Sequence, residues 1–500
     1  MTRKNDMKRL ANGLWTLPLA LTIALSGCAT GGTNPVTTTK EIAAEEAADA
    51  EAEEASVERT SISDDTDNGH AIIASNEQAT YEAVDVTKTG DADGDEADFY
   101  GTNAAVYAEE GATLDLADIT VTTAGTHANA VFSYGEGTTV NIADSSIDTT
   151  GNCSGGIMVT GGGVLNATNL TVHTTGNSSA AIRSDRGGGT QNVTGGSYTT
   201  DGTGSPAIYS TADVTVSDAE LTSTASQGVV VEGKNSVTLN NVNLTASNTT
   251  KNSDKSDFYQ AVMIYQSMSG DAAEGKASFA MNGGTLTNKN GDIFFVNNTV
   301  ADINLSGATI TNEDETGVLL RAAAAGWGTE GSNGGHVNLT AANEQLTGDI
   351  VVDAVSELNL SLTEGTTYTG AIDAADEGTV YVEIASGSTW KLTGDSHVDA
   401  LTCDADAIDL NGHTLTVGGD VYTEGSASTG EAIEFTLPEG GGGPGGMPGD
   451  GSEPPAKPGE DGGPGPGNGG EPPAKPDGEN GGEPPAKPDD AGTRESDSSN

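Results

Sequence analysis

The chain of 500 residues has few cysteines, few aromatic residues and few bases, and each shortage excludes a class of protein. Its 3 cysteines are too few for a disulfide framework. Cys153 and Cys403 lie too many repeats apart to pair within one solenoid. Aromatic residues make up 4%, so stability must come from many small contacts. The 20 Lys and Arg face 74 Asp and Glu, and the net charge of −54 excludes nucleic acid as a partner.

What the chain has instead is an apolar repeat of about 25 residues. A small residue followed by Val or Ile recurs, and the second members of these pairs are Val106, Val131, Ile157, Ile182, Ile208 and Val229. A second pattern lies between them, as in Leu114-x-Leu116 followed by Val121. Alternation with period two indicates strands that bury one face, and a fixed period of this length is typical of a solenoid.

We therefore predict an all-β fold, a single-stranded right-handed parallel β-helix of roughly 13 coils. Each coil should contain three short strands and three turns. One matching position in successive coils holds hydroxyl residues, which predicts a buried ladder whose members satisfy one another: Thr123, Thr149, Thr174, Thr200 and Ser223.

The two ends of the chain differ in composition from the repeats. Residues 1–28 combine basic residues, an apolar run and Leu25-Ser26-Gly27-Cys28, which predicts a lipoprotein signal peptide and lipidation of Cys28. Ordinary secretion with a chance cysteine is the alternative. Residues 29–75 are expected to be an acidic Ala/Thr-rich tether, 76–436 the β-helix, and 437–500 a disordered Gly/Pro-rich tail with Glu-Pro-Pro-Ala-Lys-Pro repeats. The predicted location is the bacterial cell surface, with membrane attachment through the lipid alone.

A column of large side chains predicts a ligand-binding face. The residue after each leading Val or Ile should point outward, and this column includes Tyr107, Phe132 and Tyr209. A row of exposed aromatic rings suits stacking on sugar rings. The alternatives are that a covering loop buries the column, or that the strands are shifted in phase by one residue.

Insertions between strands add further ligand-binding candidates, since loops on a rigid solenoid often carry function. Arg183, Asp185 and Arg186 form a rare cationic spot before a Gly run, where an acidic sugar or a carboxylate could dock. Alternatively, the two arginines only neutralise neighbouring carboxylates. Trp327 lies in a later insertion, between Arg321 and Gly335.

One acidic segment suggests a cation. Asp91, Asp93, Asp95 and Asp98 could supply the oxygens that Ca²⁺ prefers, and calcium is the only cofactor that the sequence suggests. The spacing departs from an EF-hand, so a solvated acidic loop is the alternative. The 6 histidines form no ligand-spaced pair along the sequence, so zinc is not expected.

Three longer strings carry a family resemblance: Phe99 to Val106, Ser184 to Gly189, and Ile408 to Leu415. With the repeats, they resemble the adhesin-like right-handed parallel β-helix surface lipoproteins of gut bacteria, within the pectin-lyase-like superfamily. The resemblance spans about residues 80 to 420. It implies surface exposure and adhesion, and it carries no catalytic residues to this chain.

The expected function is that of a non-catalytic surface adhesin or binding protein whose partners are host or microbial glycans or surface proteins. One alternative is a polysaccharide lyase or glycoside hydrolase, and another is a structural envelope spacer. Hydrolysis needs paired carboxylates on one face. Asp-Asp occurs only at Asp64-Asp65 and Asp489-Asp490, both in predicted linkers. The sequence leaves the enzyme question open and favours a protein without catalysis.

Overall fold

Parallel strands stacked in long sheets make up nearly all of the regular structure. A computed structural model describes residues 58–249, 255–256, 258–267 and 269–435. The predictions for residues 1–57 and 436–500, including Cys28, lie outside the described residues. Within them the chain is a parallel β-helix, as the repeat predicts.

The longest sheet, here called the long sheet, has 17 strands. Its strands are Thr60–Asp64, Gln78–Lys88, Thr113–Thr123, Thr139–Ala143, Ser146–Thr149, Gly163–Thr174, Gly189–Thr200, Asp213–Ser217, Glu220–Ser223, Ser236–Ala246, Ala277–Asn288, Thr299–Ser306, Thr309–Asn312, Gly335–Ala342, Glu357–Thr363, Thr379–Ile384 and Ala400–Cys403.

The other long sheet, here called the second sheet, has 11 strands. Its strands are Ile72–Ser75, Val106–Glu109, Val131–Tyr134, Ile157–Thr160, Ile182–Ser184, Ile208–Ser210, Val229–Glu232, Gln260–Tyr265, Asp292–Asn297, Leu320–Ala322 and Ile350–Val352.

Two small sheets and one short helix complete the regular structure of the described residues. The small sheets contain Gln345–Thr347, Thr367–Thr369, Thr389–Lys391 and Ile408–Asp409 in one, and Ser396–Val398, Leu415–Val417 and Asp420–Val421 in the other. The helix is Asp95–Tyr100.

The apolar repeat sets the register of the second sheet. Val106 lies beside Val131, which lies beside Ile157, and the stack continues through Ile182, Ile208 and Val229. All of these side chains are fully buried in one continuous core. Fully burying one such side chain stabilises the fold by about 1.5–3 kcal/mol.

The predicted division of each coil into three short strands holds only in part. Thr113–Thr123 is one strand of 11 residues, although it contains two of the predicted strands. Asp118 bends it with φ of 48°, and pairing to the next coil continues on both sides of the bend. Asp can adopt this left-handed conformation without breaking the sheet, so the corner becomes a bend within a strand.

The predicted hydroxyl column is buried, but its hydroxyl groups do not bond to one another as expected. The Oγ1 atoms of Thr149, Thr174 and Thr200 each donate to the carbonyl of a serine five residues later in the chain, at 2.7, 2.5 and 2.5 Å. These three hydroxyls therefore satisfy backbone carbonyls at a corner of the coil, and the Ser223 hydroxyl also donates to the Ser205 carbonyl at 3.3 Å.

The solenoid begins earlier in the chain than residue 76, its predicted start. Thr60–Asp64 pairs with Val84–Lys88, and Ile72–Ser75 pairs with Val106–Glu109, so strands of both long sheets form before residue 76. Ile73, on the outer face of this first strand of the second sheet, is half exposed, whereas the matching Tyr107 of the next coil is buried.

Candidate ligand-binding site

The outward column of the second sheet is the feature on which the predicted ligand face depends. Tyr107, Phe132, Met158, Arg183, Tyr209 and Val230 lie in register on successive strands, and Met263, Phe295 and Arg321 extend the column. Two apolar clusters, separate from the main core, form on this face. The column therefore points away from the core, as predicted.

The first part of the column is covered. Tyr107 and Phe132, which the sequence places in an exposed row, are fully buried. The helix Asp95–Tyr100 and the turn after it lie over them, and a Cβ at Gly101 would be 2.9 Å from the ring of Phe132. The Phe99 carbonyl also accepts a hydrogen bond of 2.7 Å from the Thr160 hydroxyl. The covering loop that was the alternative is present, so these two rings are not at a ligand-accessible surface.

The predicted cationic spot is an ion-pair network. Arg183 donates to the Asp185 carboxylate at 2.9 Å and lies 3.4 Å from Asp98. Arg186 pairs with Asp271 at 2.6 Å and lies over the ring of Phe99 at 3.7 Å. The structure matches the alternative in which both arginines neutralise neighbouring carboxylates.

Burial dominates the titration of Asp185. Loss of solvent raises the pKa of this carboxyl to about 7, although the Arg183 guanidinium favours the carboxylate. The carboxyl group faces Arg183 rather than an open surface. Asp185 therefore has a structural role in holding Arg183 over the sheet.

The second part of the column opens into a cavity of about 120 Å³. Tyr209 and Trp327, two of the predicted ligand-binding residues, both line it although they are far apart in the sequence. Its other walls are Gly204, Pro206, Gln227, Val230, Asn248, Ser256, Phe258, Tyr259, Gln260, Met263 and Tyr265. Aromatic walls with a few amide groups are typical of a small-molecule site.

The aromatic walls are fixed by contacts behind them. Tyr265 packs edge-on against Trp327 with ring centroids 5.1 Å apart. Phe258 lies between Phe295, at 5.6 Å, and the Arg321 guanidinium, at 4.2 Å. Rings held on several sides lose little freedom when a ligand binds, which favours affinity.

A buried carboxylate orients two of the phenols. Tyr209 and Tyr265 both donate to Oε2 of Glu232, at 2.5 and 2.9 Å. Burial, helped by the nearby Glu232, raises the pKa of both phenols well above the usual value, so they remain neutral donors. Their hydroxyl groups are therefore held by Glu232, which is not itself a lining residue, and both phenol rings are fixed in the wall.

One amide in the wall has an unused acceptor. Gln260 is 1% exposed, and its Oε1 atom has no hydrogen-bond partner. A buried polar atom without a partner costs about 1–3 kcal/mol, which a hydroxyl of a ligand would recover. Asn248, also buried, supplies a second amide at the same wall.

Sequence reasoning found Tyr209 and Trp327 but missed most of the site. Phe258, Tyr259 and Gln260 follow an insertion that lengthens the step from Val229 to Val262 to 33 residues (262 − 229). That long step was the available signal. Nothing in the sequence shows that this insertion and the one with Trp327 meet over the same coils.

The four carboxylates suggested for calcium have separate partners. Asp91 accepts hydrogen bonds from Thr126, Asp95 lies beside Arg186, and Asp98 lies beside His127 and Arg183. The Asp93 side chain is fully exposed, with His127 at 3.9 Å. Calcium in this segment stays a prediction, and these four residues do not converge on one point in the structure.

None of the helices in the described part of the chain is long and apolar enough to cross a membrane. No family model, no curated protein and no solved structure matches the chain.

Proposed function

We propose that this protein is a lipid-anchored β-helix of the bacterial cell surface that binds glycans at the Tyr209–Trp327 cavity without catalysis. The observation that supports this most is the aromatic cavity with its unpaired Gln260 amide oxygen. A sugar ring has apolar C–H faces that suit aromatic rings and hydroxyl groups that suit amides.

Charge supports a neutral sugar over an acidic one. The net charge is −54, so a uronate or sialylated chain approaches against a negative field. Arg183 and Arg186, the two arginines of the predicted cationic spot, are paired with carboxylates. The proposed ligand class is therefore a neutral hexose or a short neutral oligosaccharide.

Binding is favoured over hydrolysis because of what lines the cavity. Glycoside hydrolysis uses two carboxyl groups about 5–9.5 Å apart across the bond. Among the described residues, the cavity wall contains aromatic, amide and apolar side chains and one serine, and no Asp or Glu. A spacer without a ligand would have no need of a preorganised aromatic cavity.

Cell-surface attachment is proposed from the sequence, through a lipid on Cys28. Leu25-Ser26-Gly27-Cys28 follows the apolar run in the pattern that precedes lipidation. Contact with the membrane would be made by the lipid alone, since the net negative charge disfavours an anionic lipid surface.

A glycan array tests this function. The full chain with Cys28→Ser, which removes the lipidation site, is compared with the same chain carrying Trp327→Ala or Gln227→Ala. We expect neutral glycans to bind and both substitutions to weaken binding by at least about tenfold, since each removes a wall of the cavity.

Two matched controls locate the effect. Ile73→Ala removes an exposed apolar residue from the same column, and Gln345→Ala removes an exposed amide elsewhere. Neither should change binding. Binding that survives Trp327→Ala and Gln227→Ala would move the site away from this cavity. Release of reducing ends from a bound glycan would replace the proposal with an enzyme, and no binding on the array would contradict it.

A further inference from the structure

A cluster of three different metal-binding side chains lies under the covering helix. Asp98 comes from the helix, and His127 and Cys153 come from the same corner of two successive coils. One donor atom from each residue lies within 4.8 Å of the other two. It is the one group of three or more such side chains in the described residues with this geometry.

We propose that Asp98, His127 and Cys153 bind a divalent cation of the Zn²⁺ class. Imidazole nitrogen, thiolate sulfur and carboxylate oxygen are the three ligand types of zinc, and the thiolate selects against Ca²⁺ and Mg²⁺. Bond lengths of about 2.0–2.3 Å in a tetrahedral site place donor atoms roughly 3.3–3.8 Å apart. Since the three donor atoms lie within 4.8 Å of one another, side-chain shifts of about 1 Å bring them to this spacing.

The backbone fixes two of the ligands. His127 and Cys153 have φ of 53° and 55°, and Ser178 repeats this conformation in the next coil with φ of 54°. The His127 amide donates to the Asn152 carbonyl at 2.9 Å, and the Cys153 amide donates to the Asn177 carbonyl at 2.8 Å. The corner thus stacks one ligand directly over the other.

The charges around the cluster suit a cation. Asp93 lies 3.9 Å from Nε2 of His127 and adds a negative charge beside the cluster. Arg183 brings a positive charge 3.4 Å from Asp98, and its guanidinium also contacts Asp185 at 2.9 Å. The Arg183–Asp98 contact is the kind of outer contact that orients a ligating carboxylate.

Two members of the cluster are hydrogen-bonded to each other in the structure. Nδ1 of His127 and Oδ1 of Asp98 are 2.9 Å apart, a hydrogen bond that a cation would replace. A bound cation would also displace the proton of the Cys153 thiol, because the thiolate is the form of cysteine that binds a metal.

A bound cation would tie the covering helix to the coils. Asp98 belongs to the segment that buries Tyr107 and Phe132, whereas His127 and Cys153 belong to the solenoid. Metal binding therefore stabilises the covered state of the column. This inference does not depend on the proposed glycan function.

Cobalt(II) titration tests the site, because a Co²⁺–thiolate bond has a charge-transfer band in the near ultraviolet. The full chain with Cys28→Ser retains Cys153 and Cys403 as its only thiols. We expect one equivalent of Co²⁺ to produce the band and Zn²⁺ to displace it. Cys153→Ser should abolish the band, while Cys403→Ser should leave it unchanged. Serine is tolerated at this corner, as Ser178 shows.

His127→Gln should weaken Co²⁺ binding by more than the roughly 10–100-fold that loss of an outer contact costs. His336→Gln is its control, because His336 forms a similar pair with Glu357 at 2.8 Å but has no cysteine beside it. Absence of the band from the folded parent chain would overturn the proposal. A band that persists in Cys153→Ser would do so as well.

Discussion

At the scale of single residues, Lys88 is the most unusual feature of the N-terminal coils. It occupies the buried hydroxyl column, beside Thr123 of the next coil, and its side chain is fully buried. Its ammonium group pairs with Asp64 at 2.8 Å and also donates to the Thr66 carbonyl. A buried cation is tolerated only when its partners satisfy it, so the first coil depends on this pair.

We expect Asp64→Ala to destabilise the first coils more than Lys88→Met does. Removal of the carboxylate leaves a buried charge unpaired, at about 3–5 kcal/mol, whereas Met replaces the lysine with an apolar chain of similar volume. Hydrogen exchange of the amides in Thr60–Asp64 and Gln78–Lys88 measures the difference. Greater loss of protection in Lys88→Met than in Asp64→Ala would contradict this account.

The same pair should respond to acid. Burial alone would raise the pKa of Asp64. Hydrogen bonds from Lys88 and Thr66, together with the positive charge of Lys88, lower this pKa overall. A carboxylate whose folded pKa is depressed stabilises the fold fully above its unfolded pKa of about 3.9, and this stability is lost as the pH falls through the lower folded pKa. Protection of the first coil, after correction for the intrinsic pH dependence of amide exchange, should therefore fall below about pH 4 in the parent chain, with a weaker dependence in Asp64→Ala.

At the scale of the element, a left-handed corner recurs from coil to coil. Asp118, Asp144, Asn169, Asp218 and Asn241 occupy it with φ between 48° and 55°. Glycine takes the same position in other coils, as at Gly283 with φ of 69°, where an added Cβ would meet nothing within 4 Å. The corner thus favours residues that accept positive φ, and it has room for a side chain.

Substitution at Asn241 tests the corner. We expect Asn241→Val to destabilise the chain by about 1–2 kcal/mol, because a β-branched residue resists the left-handed region, and Asn241→Gly to have little effect. Thermal unfolding measures both. Asn243→Val, on the same strand in extended conformation, is the control and should stay within about 0.5 kcal/mol. An equal loss of stability in Asn241→Val and Asn241→Gly would show that the Asn241 side chain, and not its backbone conformation, stabilises the corner.

The elements were predictable because their causes are local. Alternating Val, Ile and Leu predicted the strands, and the stacking of Val106 on Val131 follows from the period alone. The helix Asp95–Tyr100 was not predicted, since it is an acidic segment of 6 residues with no repeated apolar face. Its place is set by tertiary contacts, such as the one between Phe99 and Arg186, that no sequence period encodes.

The candidate site was predictable only where it coincided with the repeat. Tyr209 follows a leading Ile, so its outward direction could be predicted from the strand pattern. Gln260 and Asn248 contribute through buried amides, which in sequence look like any surface polar residue. Likewise, Asp98, His127 and Cys153 come together only because coils of 26 residues (153 − 127) stack in register.

At the scale of the whole molecule, the described C-terminal end of the solenoid is capped by its own chain. The backbones of Cys403 and Ser428 exchange antiparallel hydrogen bonds of 3.1 and 3.0 Å. Farther on, Ile433 exchanges two hydrogen bonds of 2.9 Å with the Asn359 side chain. The last strand of the long sheet is thereby kept from presenting an open edge, which is a common site of association between sheets.

Removal of this cap should cause association. We expect a chain ending at Gly419 to form end-to-end oligomers, because the edge of Ala400–Cys403 is then unpaired. A chain ending at Thr436 is the control, since it lacks only the residues after the cap, and its mass in solution should equal that of the full chain. Size-exclusion chromatography with light scattering gives the masses. The same mass per chain in both truncations would contradict this role for the cap.

The register of coil on coil has a mechanical consequence. The hydrogen bonds of the long sheet and of the second sheet run between neighbouring coils, which lie about 4.8 Å apart along the axis. Tension between the two ends would therefore pull coils away one at a time. Each coil of 25 residues (131 − 106) that peels away adds about 85 Å of extended chain and removes about 5 Å of rod. As the ends are pulled apart, the molecule would lengthen in steps of roughly 80 Å, and the separation of each coil would dissipate mechanical work.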